Sequence, residues 1–251
     1  MSGRLTIIGL GPGAPGLRTP DAQAALEAAT DLVGYGPYLD RVAIGPHQTR
    51  HASDNREELD RARHALGMAA QGRTVAVVSS GDAGVFAMAS AVFEAIEAGP
   101  LAWRALDVTV IPGISAMFAA AARLGAPLGH DFCAISLSDN LKPWALVQRR
   151  LRLAAEAGFV IALYNARSRA RPHRLGEAFD QLRIILPPET KVVFATAISR
   201  EDERIEIAPL ASADPTRADM RTLVLIGSAE TRQIDRPGAA PWLYSPRKAG
   251  A

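Results

Sequence analysis

Leu5-Thr-Ile-Ile-Gly-Leu-Gly-Pro-Gly-Ala-Pro-Gly16 decides how this chain is read. Leu5, Ile7 and Ile8 form an apolar run of strand length that breaks directly into Gly9, Gly11, Gly13 and Gly16. A buried strand ending in glycines lets the backbone approach a ligand at the carboxyl edge of a parallel sheet. Gly9, Gly11 and Ala14 match the three small positions of a dinucleotide fingerprint. Pro12 and Pro15 argue against that use, because the fingerprint needs a helix that opens inside the loop and turns its amides to a pyrophosphate. The better helix start comes later. Thr19 suits an N-cap, Pro20 the first helical position and Asp21 the positive end of the dipole. The stretch reads as a strand and a long loop, with a plain glycine turn as the alternative to a ligand-facing one.

Outward from it, apolar strand-length runs alternate with helical patterns, which argues for a parallel sheet covered on both faces. Helices are expected at 20–29, from 54 onward with Leu59, Ala62 and Leu66 on one face, around Val85, Met88, Val92 and Ile96, and at 115–124. Strands are expected at 31–35, 74–80 and 106–111, the last two apolar enough to be buried on both faces. Residues 125–130, Gly-Ala-Pro-Leu-Gly-His, are the candidate linker. The alternation then restarts, with strands at 132–137, 159–164, 192–198, 203–207 and 222–226 and helices at 143–157 and 172–182. Pro209 and Pro215 between the last two strands imply some antiparallel pairing. The expected architecture is therefore α/β in two domains. Residues 1–125 carry a mainly parallel sheet, 126–235 a mixed sheet, and 236–251 a loose tail.

Of the 251 residues, 48% are hydrophobic, ample for a full core. No apolar run is long enough to span a bilayer, and the N-terminus lacks a basic region followed by an apolar segment, so a cytoplasmic protein without a membrane partner is expected. Cys133 is the single cysteine, which excludes an internal disulfide and a thiolate-rich metal site. A net charge of +2 gives no reason to expect nucleic acid. Residues 1–125 hold 10 arginines against 12 acids, and residues 126–251 hold 18 basic against 14 acidic residues. That weak positive bias of the second half points to an anionic ligand.

Polar or small residues stand at four expected strand ends: Gly9–Gly16, Ser79–Gly84, Pro112–Ala116 and Tyr164–Arg171. In an open α/β sheet such ends gather on one edge. Asp82 and Ser115 each read either as a helix cap or as a ligand contact. Gly9-Leu-Gly-Pro-Gly13, Ser80-Gly-Asp-Ala-Gly84 and Pro112-Gly-Ile-Ser-Ala116, in this order and spacing, resemble the tetrapyrrole methylase family, the class III S-adenosylmethionine-dependent methyltransferases. The resemblance continues through Ser136-Leu-Ser-Asp139, Pro143-Trp144, Tyr164-Asn-Ala-Arg-Ser-Arg169, Ala195-Thr-Ala-Ile-Ser-Arg-Glu-Asp202 and Met220-Arg-Thr-Leu-Val-Leu-Ile-Gly227, nearly the whole chain. The Ser-Leu-Ser-Asp and Tyr-Asn-x-x-Ser segments resemble the ring-contracting branch of aerobic cobalamin synthesis. Ala14 departs from the acid frequent there, and Ala166 from a frequent proline.

The resemblance implies two α/β domains around a cleft, a homodimer, a tetrapyrrole substrate and S-adenosylmethionine as methyl donor, with S-adenosylhomocysteine as product. By motif, it implies cofactor contacts at Gly81, Asp82, Gly84, Val85, Ser115, Ala116, Leu137, Asn165, Thr222 and Leu223. The glycine loop, Gly9, Gly11, Pro12 and Gly13, is then left for the macrocycle. A substrate bearing many carboxylates suits arginine forks, for which Arg50, Arg56, Arg167, Arg169, Arg171 and Arg200 are the loop candidates. Ring contraction calls for a proton carrier, and His51 with Ser53 and Asp54 is the candidate, a capped helix start being the alternative. No metal is required for methyl transfer. A nicotinamide-dependent oxidoreductase is the competing class, but Asp31 precedes the second strand where a ribose-binding acid would end it.

Overall fold

A computed structural model of the chain describes residues 3–54 and 57–248. The chain divides into two compact units, 1–116 and 117–251, so helix α5 (Ala116–Leu124) falls with the second unit, ahead of the glycine-rich segment expected to be the linker.

In the first unit β1 (Arg4–Gly9) lies between β4 (Thr74–Ser79) and β5 (Asp107–Ile111), and β2 (Asp31–Tyr35) and β3 (Thr49–Ser53) extend the sheet beyond β4. All pairings are parallel, in the order β3-β2-β4-β1-β5. Alternation sorts the side chains to two faces. Leu5, Ile7, Val33, Val75 and Val77 pack on α3 (Glu58–Ala70) and α4 (Met88–Ala98). Ile8, Leu32, Ala76 and Val78 pack on α1 (Pro20–Ala28) and the short α2 (Gly36–Leu39). Each fully buried leucine or isoleucine here stabilises by roughly 2 kcal/mol. Thr19 caps α1 as expected, accepting from the Ala22 amide at 3.2 Å.

Two first-unit expectations are corrected. β5 is an edge strand, largely exposed, although its apolar run read as doubly buried. β3, which was not expected, forms on the opposite edge from Thr-Arg-His-Ala-Ser, where one-sided exposure leaves no apolar run to read.

The second unit holds a mixed sheet, β10-β9-β11-β8-β7, of β7 (Phe132–Ser136), β8 (Val160–Tyr164), β9 (Lys191–Thr196), β10 (Arg204–Pro209) and β11 (Thr222–Ile226). Only β7 and β8 run parallel. Helices α6 (Trp144–Glu156) and α7 (Arg174–Ile185) cover it through Val147, Leu151, Leu175, Phe179 and Leu182 against Leu163, Phe194 and Val224. The expected loose tail is instead a hairpin of β12 (Arg232–Arg236) and β13 (Ala239–Tyr244), whose Leu243 and Tyr244 pair with β6 (Gly125–Ala126). The pairing satisfies backbone groups that prolines and irregular composition had disguised, and Leu243 is buried beneath it. No helix among the described residues is long and apolar enough to cross a membrane.

Asp31 is fully buried at the start of β2. Its Oδ1 accepts from His51 Nε2 at 2.8 Å and from Arg73 at 2.7 Å, and its Oδ2 accepts from the Thr30 hydroxyl at 2.7 Å. Replacing Asp31 by Asn should cost about 2 kcal/mol in urea unfolding, because Asn keeps one acceptor oxygen but loses the buried charge that His51 and Arg73 share, and turns a second donor toward Thr30. An unchanged midpoint and slope would show that this network carries no stability.

Candidate functional site

At the carboxyl ends of β1, β4 and β5 three backbones meet with no side chain between them. A Cβ built on Gly9 would stand 2.6 Å from the Gly113 nitrogen and 2.8 Å from the Gly81 oxygen. One built on Gly113 would overlap the Gly81 carbonyl oxygen and lie 2.7 Å from that of Gly9. Gly11 and Gly81 exchange two hydrogen bonds, at 3.1 and 2.9 Å, each with positive φ (73° and 67°). Asp82 joins the second and third loops. Its Oδ1 accepts from the Gly84 amide at 2.8 Å and its Oδ2 from the Gly113 amide at 3.0 Å. The two readings left open for Asp82 resolve toward a bridge between loops, since its nearest partners are both backbone amides.

The first-unit residues implied as cofactor contacts sit together on this edge. A Cβ built on the buried Gly81 would meet nothing nearer than 3.8 Å, in ordinary van der Waals contact with Ser115 and Ala116, so the second loop packs against the third without clash there. Val85 donates its amide to the Asp82 carbonyl at 3.4 Å, a turn that ends in Phe86 at φ 51°. A left-handed phenylalanine costs about 1–2 kcal/mol, and such strain concentrates at functional sites. Helix α4 therefore starts only at Met88, whose amide donates to Ser79 Oγ at 3.2 Å, and Val85 belongs to the loop rather than to a helix face. The first loop stays close by. Pro12 is buried and Gly13 half-buried, and Pro15–Leu17 makes a short turn before α1.

In the second unit the implied contacts also share one edge. Leu137 donates its amide to the Tyr164 carbonyl at 2.9 Å, and Asn165, at φ 52°, donates to Ser136 Oγ at 3.0 Å. Antiparallel β11 starts where β9 ends, so Thr222 lies opposite Thr196 with hydroxyls 2.8 Å apart, and Leu223 follows it. Ala197 and Ser199, beyond β9, are left-handed at φ 50° and 63°. The Tyr164 hydroxyl accepts from the Met117 amide at 3.1 Å, in the first turn of α5.

His51, Ser53 and Asp54 are not brought together as a proton-transfer group. His51 turns its Nε2 to buried Asp31, at the amino end of β2, while His64 Nε2 lies 3.3 Å from its Nδ1. Ser53 Oγ and the Asp54 carbonyl both accept from the buried Arg61, at 2.7 and 2.6 Å. Burial lowers the pKa of that guanidinium, and nearby Glu58 and Glu57 only partly offset it. These residues fasten edge strand β3 to helix α3.

The arginines are mostly occupied as well. Arg50 pairs with Asp40 at 2.6 Å. Arg167 donates to the carbonyls of Pro172 and Ala218. Arg171 donates to the Leu137 carbonyl at 3.1 Å and stands 3.7 Å from Asp139, whose other oxygen takes Arg174 at 2.7 Å. Arg174 also lies over Trp144, 4.6 Å from the ring centroid. Burial would raise the Asp139 pKa, but the hydrogen bond from Arg174 and the charges of Arg174 and Arg171 outweigh it and leave the carboxyl below its ordinary range. Arg56 lies outside the described residues. Arg169, which is exposed, and half-buried Arg200 have guanidinium groups with no hydrogen bond or ion pair among the described residues.

Arg41, Phe86, Tyr164 and the bond between Thr196 and Thr222 escaped the sequence reading, which gave Thr222 alone a role. Only Tyr164 and the threonines stood inside a quoted motif, and nothing local marks Arg41 or the φ of Phe86. No group of three His, Cys, Asp or Glu side chains among the described residues could hold a metal ion.

Residues 4–214 match the profile of the tetrapyrrole (corrin/porphyrin) methylases. A precorrin-3B C(17)-methyltransferase of a Sinorhizobium species is 58% identical over 247 residues, covering 98% of this chain and 97% of that protein. Among solved structures, the methyltransferase CobJ superposes with a TM-score of 0.92 at 53% identity, over 98% of this chain and 100% of that one. A uroporphyrin-III C-methyltransferase from Thermus thermophilus, solved with S-adenyl homocysteine, shares the fold at a TM-score of 0.71 and 22% identity, over 90% and 98% of the two chains.

The glycine junction makes a graded prediction. Gly113→Ala should destabilise by about 3 kcal/mol, since its Cβ meets two fixed carbonyls. Gly81→Ala has room for its Cβ and should cost only about 1 kcal/mol, through its positive φ. Thermal unfolding of the two variants checks the order; equal losses would refute close backbone packing as the constraint.

Proposed function

The chain belongs to the tetrapyrrole (corrin/porphyrin) methylases, and from that premise we propose that it transfers a methyl group from S-adenosylmethionine to C17 of precorrin-3B, with contraction of the macrocycle to precorrin-4. The observation that carries this reading is the 58% identity, over almost the full length of both chains, to an enzyme named for C17 methylation of precorrin-3B. The placement of its motifs on one edge of each unit supports it. A nicotinamide enzyme is disfavoured, because the first helix opens at Pro20, after the glycine loop, and Asp31 is buried against Arg73 and His51.

When bound, S-adenosylmethionine supplies a methyl group already activated on a sulfonium, so the protein's task is alignment. We assign the cofactor contacts to Gly81, Asp82, Gly84, Val85, Ser115 and Ala116 in the first unit, and to Leu137, Asn165, Thr222 and Leu223 in the second. Asp82 acts there chiefly by fixing the Gly84 and Gly113 amides. The loop of Gly9, Gly11, Pro12 and Gly13 takes the flat macrocycle, and Arg169 and Arg200, whose guanidinium groups make no hydrogen bond or ion pair among the described residues, are the arginines offered to its carboxylates. A cytoplasmic homodimer is part of the same proposal.

Titration calorimetry with S-adenosylhomocysteine and with NAD separates the classes. Micromolar binding of the first and none of the second is expected, and NAD binding alone would sink the methyltransferase. Incubation with precorrin-3B and the methyl donor should then give a product heavier by one methyl group with a contracted ring. A methylated product whose ring is intact would assign the chain to another methyl acceptor position.

A further inference from the structure

We propose that Arg41 is a positioning residue for the macrocycle loop, acting as a clamp that sets the distance between that loop and the loop holding the methyl donor. The inference rests on the assignment of those two loops made above. Arg41 lies just beyond α2, where Asp40, Arg41 and Val42 close a run of turns onto Gly36, Tyr38 and Leu39. From there its guanidinium spans both loops at once, Nη1 donating to Ser80 Oγ and Nη2 to the Gly11 carbonyl, each at 2.9 Å. The Gly11 carbonyl thereby accepts two bonds, the other from the Gly81 amide at 2.9 Å.

The clamp is itself held. The Arg41 carbonyl accepts from Arg18 Nη2 at 3.1 Å, and Arg18 Nη1 donates to Gln23 in α1 at 2.7 Å. A continuous path thus runs from the first helix through two arginines to both glycine loops. Only a planar fork serves here, because the two acceptors belong to different loops and must be reached together. Glycine loops also need such an external tie more than others do, since their backbone has the most conformational freedom to lose. The loops are unequally dependent on it. The Ser79–Gly84 segment keeps the Asp82 bonds and the Ser79–Met88 bond without Arg41, whereas beyond Leu10 the backbone hydrogen bonds of the first loop among the described residues are its pairing with Gly81 and those of its own short turn.

Loss of the clamp should therefore be felt by the macrocycle before the methyl donor. Arg41→Ala should raise KM for the tetrapyrrole about tenfold while S-adenosylhomocysteine affinity changes by about threefold or less. Arg41→Lys, with one compact head, should remain impaired, and millimolar methylguanidinium should partly restore the alanine variant without affecting the wild type. Ser80→Ala keeps the cation but removes one acceptor, should give a smaller rise in KM, and should add little to Arg41→Ala in the double variant. Hydrogen exchange across residues 10–13 should quicken in Arg41→Ala with no ligand present. A wild-type KM and wild-type exchange in Arg41→Ala would overturn the clamp, as would equal loss of both affinities. If that variant does not fold, wild-type KM and exchange in Ser80→Ala would overturn it. Failure of the wild type to bind S-adenosylhomocysteine would instead remove the functional assignment, while the exchange measurement still decides whether Arg41 holds the loop.

Discussion

Three strands of the first unit, β1, β4 and β5, end side by side, and Gly9 and Gly113 must lack a side chain because their backbones touch each other and the Gly81 carbonyl. Much of that unit's edge follows from this contact. It requires β1 to lie between β4 and β5, where Leu5 and Ile7 fill one face of the sheet and Ile8 the other. It requires Asp82, whose two oxygens bind amides on two of the three loops and so fix their spacing. It also displaces the strain outward, to Phe86, whose left-handed backbone delays the start of α4 until Met88. An edge built this way presents amides and carbonyls rather than side chains, which suits a ligand recognised by close approach.

The second unit reaches a similar result by different chemistry. Its sheet is mixed, so the usable edge combines the carboxyl ends of β7, β8 and β9 with the amino end of β11. Side chains do the joining there: Asn165 to Ser136, Thr222 to Thr196 and Asp219, and Arg171 to the Leu137 carbonyl. Left-handed Asn165, Ala197 and Ser199 turn the chain where glycine does so in the first unit. Glycine is therefore a choice at such edges, required only where a second backbone occupies the space of the Cβ.

This difference explains what the sequence disclosed. Central strands were legible because burial on both faces writes itself as an apolar run, as in Thr74–Ser79, and α1 because Thr19, Pro20 and Asp21 carry its start. Edge strands were not. β3 has one solvated side and reads as polar loop, while β5 has an apolar run but open exposure, so composition overstated its burial. The hairpin after residue 231 draws its order from pairing with Gly125–Ala126, more than a hundred residues away in sequence, and no local pattern records that. Motif positions fell on the two edges as their spacing implied. The partner of His51 was hidden for a related reason, since Asp31, across the strand pair, is invisible in a linear window.

Charge was the least transparent property, and the reason is geometric. The Arg-rich segment 167–174 looked ligand-facing because no acid lies within it, yet Asp139 supplies the missing charge from the loop after β7, about thirty residues earlier, and Glu177 adds to it from α7. Arg174, set between the Asp139 carboxylate and the Trp144 ring, and Arg171, which donates to the Leu137 carbonyl, together brace the loop after β7. Arg41 does the comparable work in the first unit, donating to a carbonyl and a hydroxyl. Counting arginines against acids therefore measures how heavily the loops are braced before it measures affinity for an anion. Once the braces among the described residues are subtracted, Arg50, Arg167 and Arg171 are accounted for, and Arg169 and Arg200 are left with guanidinium groups that carry no hydrogen bond or ion pair there.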